Sequence, residues 1–444
     1  MAKGVTSRPA GVEPGEGQSV VGPSQRFPAL DGLRALGALA VVTTHVGFHS
    51  GAAVNGPFAG LLARMDAGVP LFFVISGFLL YRPHVVARVT PRPTHTAGRY
   101  LLHRALRILP ALWIAVAASY FLLPHDGLVV SNFVRVATLT QIYSLSPSMP
   151  GLTQMWSLST EVAFYLFLPS LALALARVRG KPRWWTVRVS RLLRWAMPMS
   201  LAWIAWVFAS GDAYAYRNLW LPSFLGWFAI GMTLAVWNVS RGIAVRREGW
   251  LDHLADSPGT CYGAAGALFL LLSTHIAGPY DLSETTMLSA LVKNVGYAAI
   301  GGLLVLPAVN PRRSGSVVVD FLGRGVARQL GDISYGIFSY HLVALGLVER
   351  FLGHQTFGGQ FGELWVGTLL VAIPVAWASY RFVERPIMSL GRRSPSRAGS
   401  RTPESSVSTE SSVSPESSVS PESTASAPPD RDSTATISSS QAPN

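Results

Sequence analysis

Ten apolar runs, most of them near the length a helix needs to cross a bilayer, recur along this chain and leave it little freedom. They cover residues 30–48, 66–81, 105–123, 155–176, 195–210, 219–238, 260–277, 285–309, 330–349 and 362–382. Inside hydrocarbon every backbone amide must be bonded within the protein, so isolated runs of this length predict helices. The 444 residues are 49% hydrophobic and only 13% charged, and the runs mostly lack the polar stripe of a soluble helix. Mean hydropathy is +0.33. The fold class predicted is all-α: a polytopic membrane protein of about ten transmembrane helices, with residues 27–393 as its membrane domain.

Charge supports both the count and an orientation. The connections at 82–104, 177–194, 239–259 and 310–329 carry 5, 7, 3 and 4 Lys or Arg. The opposite connections at 49–65, 124–154, 211–218, 278–284 and 350–361 carry only Arg64, Arg135, Arg217 and Arg350. Positive connections mark the cytoplasmic side, which predicts both termini in the cytoplasm and a multi-pass protein of the cell's inner (plasma) membrane. The net charge of +13 is then topology and not a nucleic-acid footprint, so no nucleic-acid partner is expected. The same Lys/Arg clusters suit membrane lipids with anionic headgroups, or an anionic co-substrate.

The polar ends read differently. Residues 1–26 have no apolar stretch, which argues against a secretory signal and predicts a disordered cytoplasmic N-terminus. From 394 to 444 the chain is Ser/Pro/Glu-rich, with Glu404, Glu410, Glu416 and Glu422 at six-residue spacing. Such a tract buries too little apolar surface to fold, and is expected to be a disordered cytoplasmic tail, a spacer more than a docking element. A single cysteine, Cys261, excludes an intrachain disulfide, and no metal or cofactor is expected.

Ionisable groups at membrane depth are costly and mark function by default. Arg34 and His45 are eleven positions apart in the first run, about three turns, hence on one face and roughly 16 Å apart along it. Taken singly, Arg34 also fits a snorkelling anchor and His45 a structural bond between helices. Glu161 stands in the fourth run, about 9 Å from its start by helical rise, at a depth similar to that expected of His45. A carboxylate there would hold one imidazole nitrogen and leave the other as a base. Lys293 in the eighth run is expected to pair with a carboxylate. Arg104 and Arg107 open the third run three residues apart, hence on one face. They suit either a phosphate-bearing ligand or plain cytoplasmic anchoring.

Five blocks together are more specific than any of these groups alone. Phe27-Pro-Ala-Leu-Asp31-Gly-Leu-Arg34 with His45 resembles the opening of the integral-membrane acyltransferase-3 family, marked by Arg, ten residues, His. Val69-Pro-Leu-Phe-Phe-Val-Ile-Ser76-Gly77 and Trp156-Ser157-Leu-Ser-Thr-Glu161-Val-Ala-Phe164-Tyr165 are similar to its second-helix and Trp-Ser-Leu blocks. Asp332-Ile-Ser334-Tyr335 through Tyr340-His341, and Phe382-Val-Glu384-Arg385-Pro386, resemble its last two helices.

The resemblance spans residues 27–390 and implies transfer of an acyl group from cytoplasmic acyl-CoA, a co-substrate. The acceptor implied is a hydroxyl, or sometimes an amine, of a sugar, glycan, lipid or secondary metabolite. It implies that Arg34 and His45 are essential and that Arg104 and Arg107 correspond to its basic pair in the third helix. The mechanism expected from these residues has Arg34, Arg104 and Arg107 bind acyl-CoA, His45 act as general base or transient acyl carrier, and Glu161 orient His45. Ser76, Tyr340 and His341 are the polar residues expected along the acceptor cavity. Many members carry a hydrolase-like domain after the last helix; the polar tail here resembles none, which leaves the chemistry to the helices. On composition alone the alternative is a transporter exporting a glycolipid, sugar or antibiotic, although the two halves show no internal repeat.

Overall fold

The computed structural model describes residues 25–90, 96–144, 149–242, 249–280, 283, 285–311 and 315–390. The predicted disordered tail, and all but the last two residues of the predicted disordered N-terminus, lie outside the described residues. Each apolar run forms a helix: α1 Pro28–His49, α2 Gly68–Val89, α3 Ala97–Leu122, α4 Met155–Ala176 and α5 Ala196–Ala209. The others are α6 Leu225–Gly242, α7 Pro258–Leu272, α8 Met287–Ala308, α9 Ser334–Leu352 and α10 Phe361–Ser379. Among the described residues, 8 helical stretches are long and apolar enough to cross a membrane. The exceptions are α7, with 15 residues, and α9, which has 19 but carries more polar side chains. The protein is an all-α polytopic membrane protein.

Local signals explain the starts. Pro28 occupies the first turn of α1, where its missing N–H costs nothing, and Asp31 complements the helix dipole there. Thr96 and Thr286 cap α3 and α8, their hydroxyl oxygens accepting from the Arg99 and Ser289 amides. Where the sequence ends the second run at Tyr81, α2 continues to Val89. Arg82 does not stop it, because its Nε donates to Asn238 of α6 (2.9 Å) and Nη2 to Gln25 (2.5 Å). Arg82, Arg88, Arg99 and Arg104, assigned to a connection by sequence, therefore stand on α2 and α3.

The most apolar stretches of Ala59–Val89 and Leu221–Arg241 are 78% and 83% buried, against 22% for Pro182–Ala209 and Phe361–Leu390. So α2 and α6 form the centre, and α5 and α10 present side chains such as Leu370 and Trp377 outward, as lipid-facing helices do. The central pair packs backbone to backbone: a Cβ on Gly77 would overlap the Phe228 carbonyl, and one on Gly231 the Val74 carbonyl.

Hydrogen bonds among helix ends and connections follow the charge division read from sequence. On one side Arg88 donates to the Ala176 and Gly180 carbonyls, and Asn310 to the Ala255 carbonyl. On the other, Arg64 donates to the Leu272 carbonyl, Trp220 to Ile142, and the Phe357 amide to His49 at the end of α1. Lys293 does find a carboxylate, Asp66, at 2.7 Å.

Candidate active site

Five helices line one cavity of about 730 Å³, counting the part open to the outside. From α1 comes Arg34, from α3 Arg104 and Arg107, from α2 Ser76 and Phe72, and from α4 Ser157, Glu161 and Tyr165. Ser334, Tyr335 and Phe338 of α9 complete it. Arg34 is only 16% exposed and leans on Asp31, one turn earlier, at 3.7 Å. Glu161 accepts from two hydroxyls on the same oxygen: Ser76 Oγ, and Tyr165 Oη at 2.7 Å. The Arg104 guanidinium lies 5.9 Å from the Tyr165 ring centre, and its buried Nε has no hydrogen-bond partner among the described residues. With that donor left over, three guanidinium groups face two carboxylates, Asp31 and Glu161, and the site carries surplus positive charge, suited to an anion.

Glu161 thus sits with the arginines and not, as the sequence reading expected, beside His45. The reason is the start of α4. Gln154 Nε2 donates to the Phe338 and Ser339 carbonyls, and Gly151 lies against Val343, all well inside α9. The connection before α4 is therefore recessed between helices, and α4 begins part-way along α9 rather than at its end. Glu161, six residues further, is carried toward the Arg34 end.

His45 has another partner. Its Nδ1 lies 2.8 Å from the Val41 carbonyl and 3.1 Å from His341 Nε2. His341, fully buried on α9, has Nδ1 2.8 Å from the Phe338 carbonyl. Carbonyls only accept, so both Nδ1 atoms carry their proton, and His341 Nε2 is left to accept from His45 Nδ1–H. His45 Nε2 then keeps a lone pair, and no hydrogen bond among the described residues engages it. An imidazole held in one tautomer with its second nitrogen free offers the lone pair that a general base requires.

The remaining sequence-predicted residues divide. Ser76 borders the arginine cavity; His341 backs His45. Tyr340 points elsewhere, bonding Ser379 Oγ at 2.7 Å, which in turn donates to Glu384 at 3.0 Å. Arg34 and His45 share a face of α1, but His45 does not line the cavity that Arg34 borders. Tyr165, Phe72 and Phe338 were missed by sequence reasoning. Only Tyr165 carried a signal, the four-residue spacing from Glu161 that joins side chains on a helix.

Residues 27–381 match the family model described as an acyltransferase domain, of the acyltransferase-3 type. The chain is 27% identical to Nodulation protein 10 of Rhizobium leguminosarum bv. viciae, over 81% of this chain and 93% of that one. It is 27% identical to the Exopolysaccharide production protein ExoZ of Rhizobium meliloti, over 75% and 92%. Identity with the Peptidoglycan O-acetyltransferase OatA of Listeria monocytogenes is 24%, over 82% of this chain but 56% of that protein. No solved structure matches. With four-fifths of its length inside the family model, this multi-pass membrane protein belongs to the acyltransferase-3 family and is an O-acyltransferase.

Proposed function

We propose that the protein moves an acyl group from cytoplasmic acyl-CoA to a hydroxyl of a sugar, glycan, lipid or secondary metabolite, in the inner (plasma) membrane. One observation carries this: Arg34, Arg104 and Arg107, from two helices, converge with an unpartnered guanidinium donor on one cavity below a histidine with a free Nε2. The arginines hold the phosphates of the donor's nucleotide end, and the Arg-rich connections lie on the cytoplasmic side. Family membership weighs against transport without covalent chemistry.

His45 Nε2 takes the proton of the acceptor hydroxyl as its oxygen attacks the thioester carbon. The carbon–sulfur bond breaks, and the imidazolium returns the proton to the departing thiolate, so charge and atoms balance. His341 holds the imidazole in register; Glu161, tied to Ser76 and Tyr165, sets the arginines around the donor. A base placed this way contributes about 10²- to 10⁴-fold to the rate. The test is acyl-CoA turnover by membranes carrying wild-type protein or His45→Ala at equal abundance. Loss of transfer supports the reading, and undiminished transfer refutes it. A labelled acyl group trapped on His45 in a single turnover would instead make the imidazole an acyl carrier.

A further inference from the structure

The arginine cavity and the histidine pair are neighbours without being joined. Along α2 the lining starts at Val69 and Phe72, and along α9 it ends at Phe338. His341 is the next residue on that face of α9, its ring 6.1 Å from that of Phe338, yet neither it nor His45 lines the cavity. Phe72 and Phe338 meet edge to face, with ring centres 6.1 Å apart. Phe72 also lies against α1 where the backbone is bare: a Cβ on Gly37 would sit 3.3 Å from the Phe72 ring. Gly37 is one turn past Arg34 and two before His45. The ring thus spans from α2 to α1 at the level that separates the cation from the base.

We propose that Phe72 and Phe338 form an aromatic collar through which the donor's thioester-bearing arm must pass to reach His45. This rests on the donor reading above. A slim, flexible arm displaces the half-buried Phe72 ring and is clamped by it. With the arm in place, the rings packed round it keep water from crossing between the cavity and the imidazole, as a reactive thioester requires. Phe72 is a positioning residue, since it touches the arm and not the reacting atoms.

The experiment measures three quantities in purified full-length protein: CoA affinity, acyl transfer, and hydrolysis of acetyl-CoA without acceptor. Phe72→Trp should keep CoA affinity, which the arginines supply, and lower transfer about 100-fold through a misplaced arm. Phe72→Ala and Phe338→Leu should raise acceptor-independent hydrolysis several-fold by admitting water. Transfer by Phe72→Trp at the wild-type rate, or CoA affinity lost along with transfer, overturns the collar. Should Phe72→Trp fail to fold, unchanged hydrolysis in both smaller variants overturns it equally. Failure of the donor reading looks different: wild-type protein would bind no CoA, and Arg104→Ala would leave the KM for acetyl-CoA unchanged.

Discussion

The two ends of the α1 face differ in how far their polar groups are paired. Around Arg34 three guanidinium groups outnumber two carboxylates, Asp31 and Glu161, and a buried Arg104 nitrogen goes without a partner among the described residues. Around His45 the protons are accounted for in order, from His45 Nδ1 to Val41 and His341, and from His341 Nδ1 to Phe338. Left-over donors ask for a ligand; an ordered pair with one free lone pair asks for a proton. On the proposed function, one end of the face binds and the other reacts, with two phenylalanine rings between them.

Substitutions should separate the two ends in kinetics. The largest effect is expected of His45→Ala, a loss of about 10²- to 10⁴-fold in kcat with donor KM little changed. An equal loss from an arginine variant would erase the division. Arg104→Ala or Arg107→Ala should raise the KM for acyl-CoA about 10- to 100-fold, the worth of a charge-assisted hydrogen bond, with a smaller change in kcat. Measured against salt, that KM effect should shrink as phosphate contacts are screened.

His341 makes a finer test. His341→Ala should lower kcat about fivefold, since the imidazole keeps its Val41 bond but loses a net stabilisation of about 1 kcal/mol. His341→Gln, whose amide oxygen can accept from His45 Nδ1–H, should restore most of the rate; failure of that rescue would break the tautomer argument. The smallest effects belong to Glu161→Gln and Tyr165→Phe, each shifting donor KM a few-fold. A kcat loss as large as that of His45→Ala, with donor KM unchanged, would return Glu161 to the histidine.

Much of this molecule was legible in advance for a physical reason. Whether a segment spans a bilayer depends on its own length and apolarity, so the fourth run, 155–176, coincides with α4, and Arg34 and His45 do share a face. The division of the connections was readable from charge, and the bonds among them follow it. Lys293 was expected to find a carboxylate, and Asp66 supplies it. The error at Arg82 also has a local look: a lone cation reads as a helix end until Asn238, 156 residues away, is seen to satisfy it.

The sequence by itself determined that ten helical runs form, which connections lie together, and that a cation and an imidazole line one side of α1. Only the tertiary structure decided that Glu161 joins the arginines, that His341 backs His45, and that Phe72 and Phe338 part the two ends. Helical rise measures depth along one segment from its own start. It carries no information on where a neighbour starts, and the recessed connection before α4 shifts that origin. Lateral partners arise from packing between segments far apart in the chain, where a proton is shared or a ring fits a bare glycine only once the helices have met.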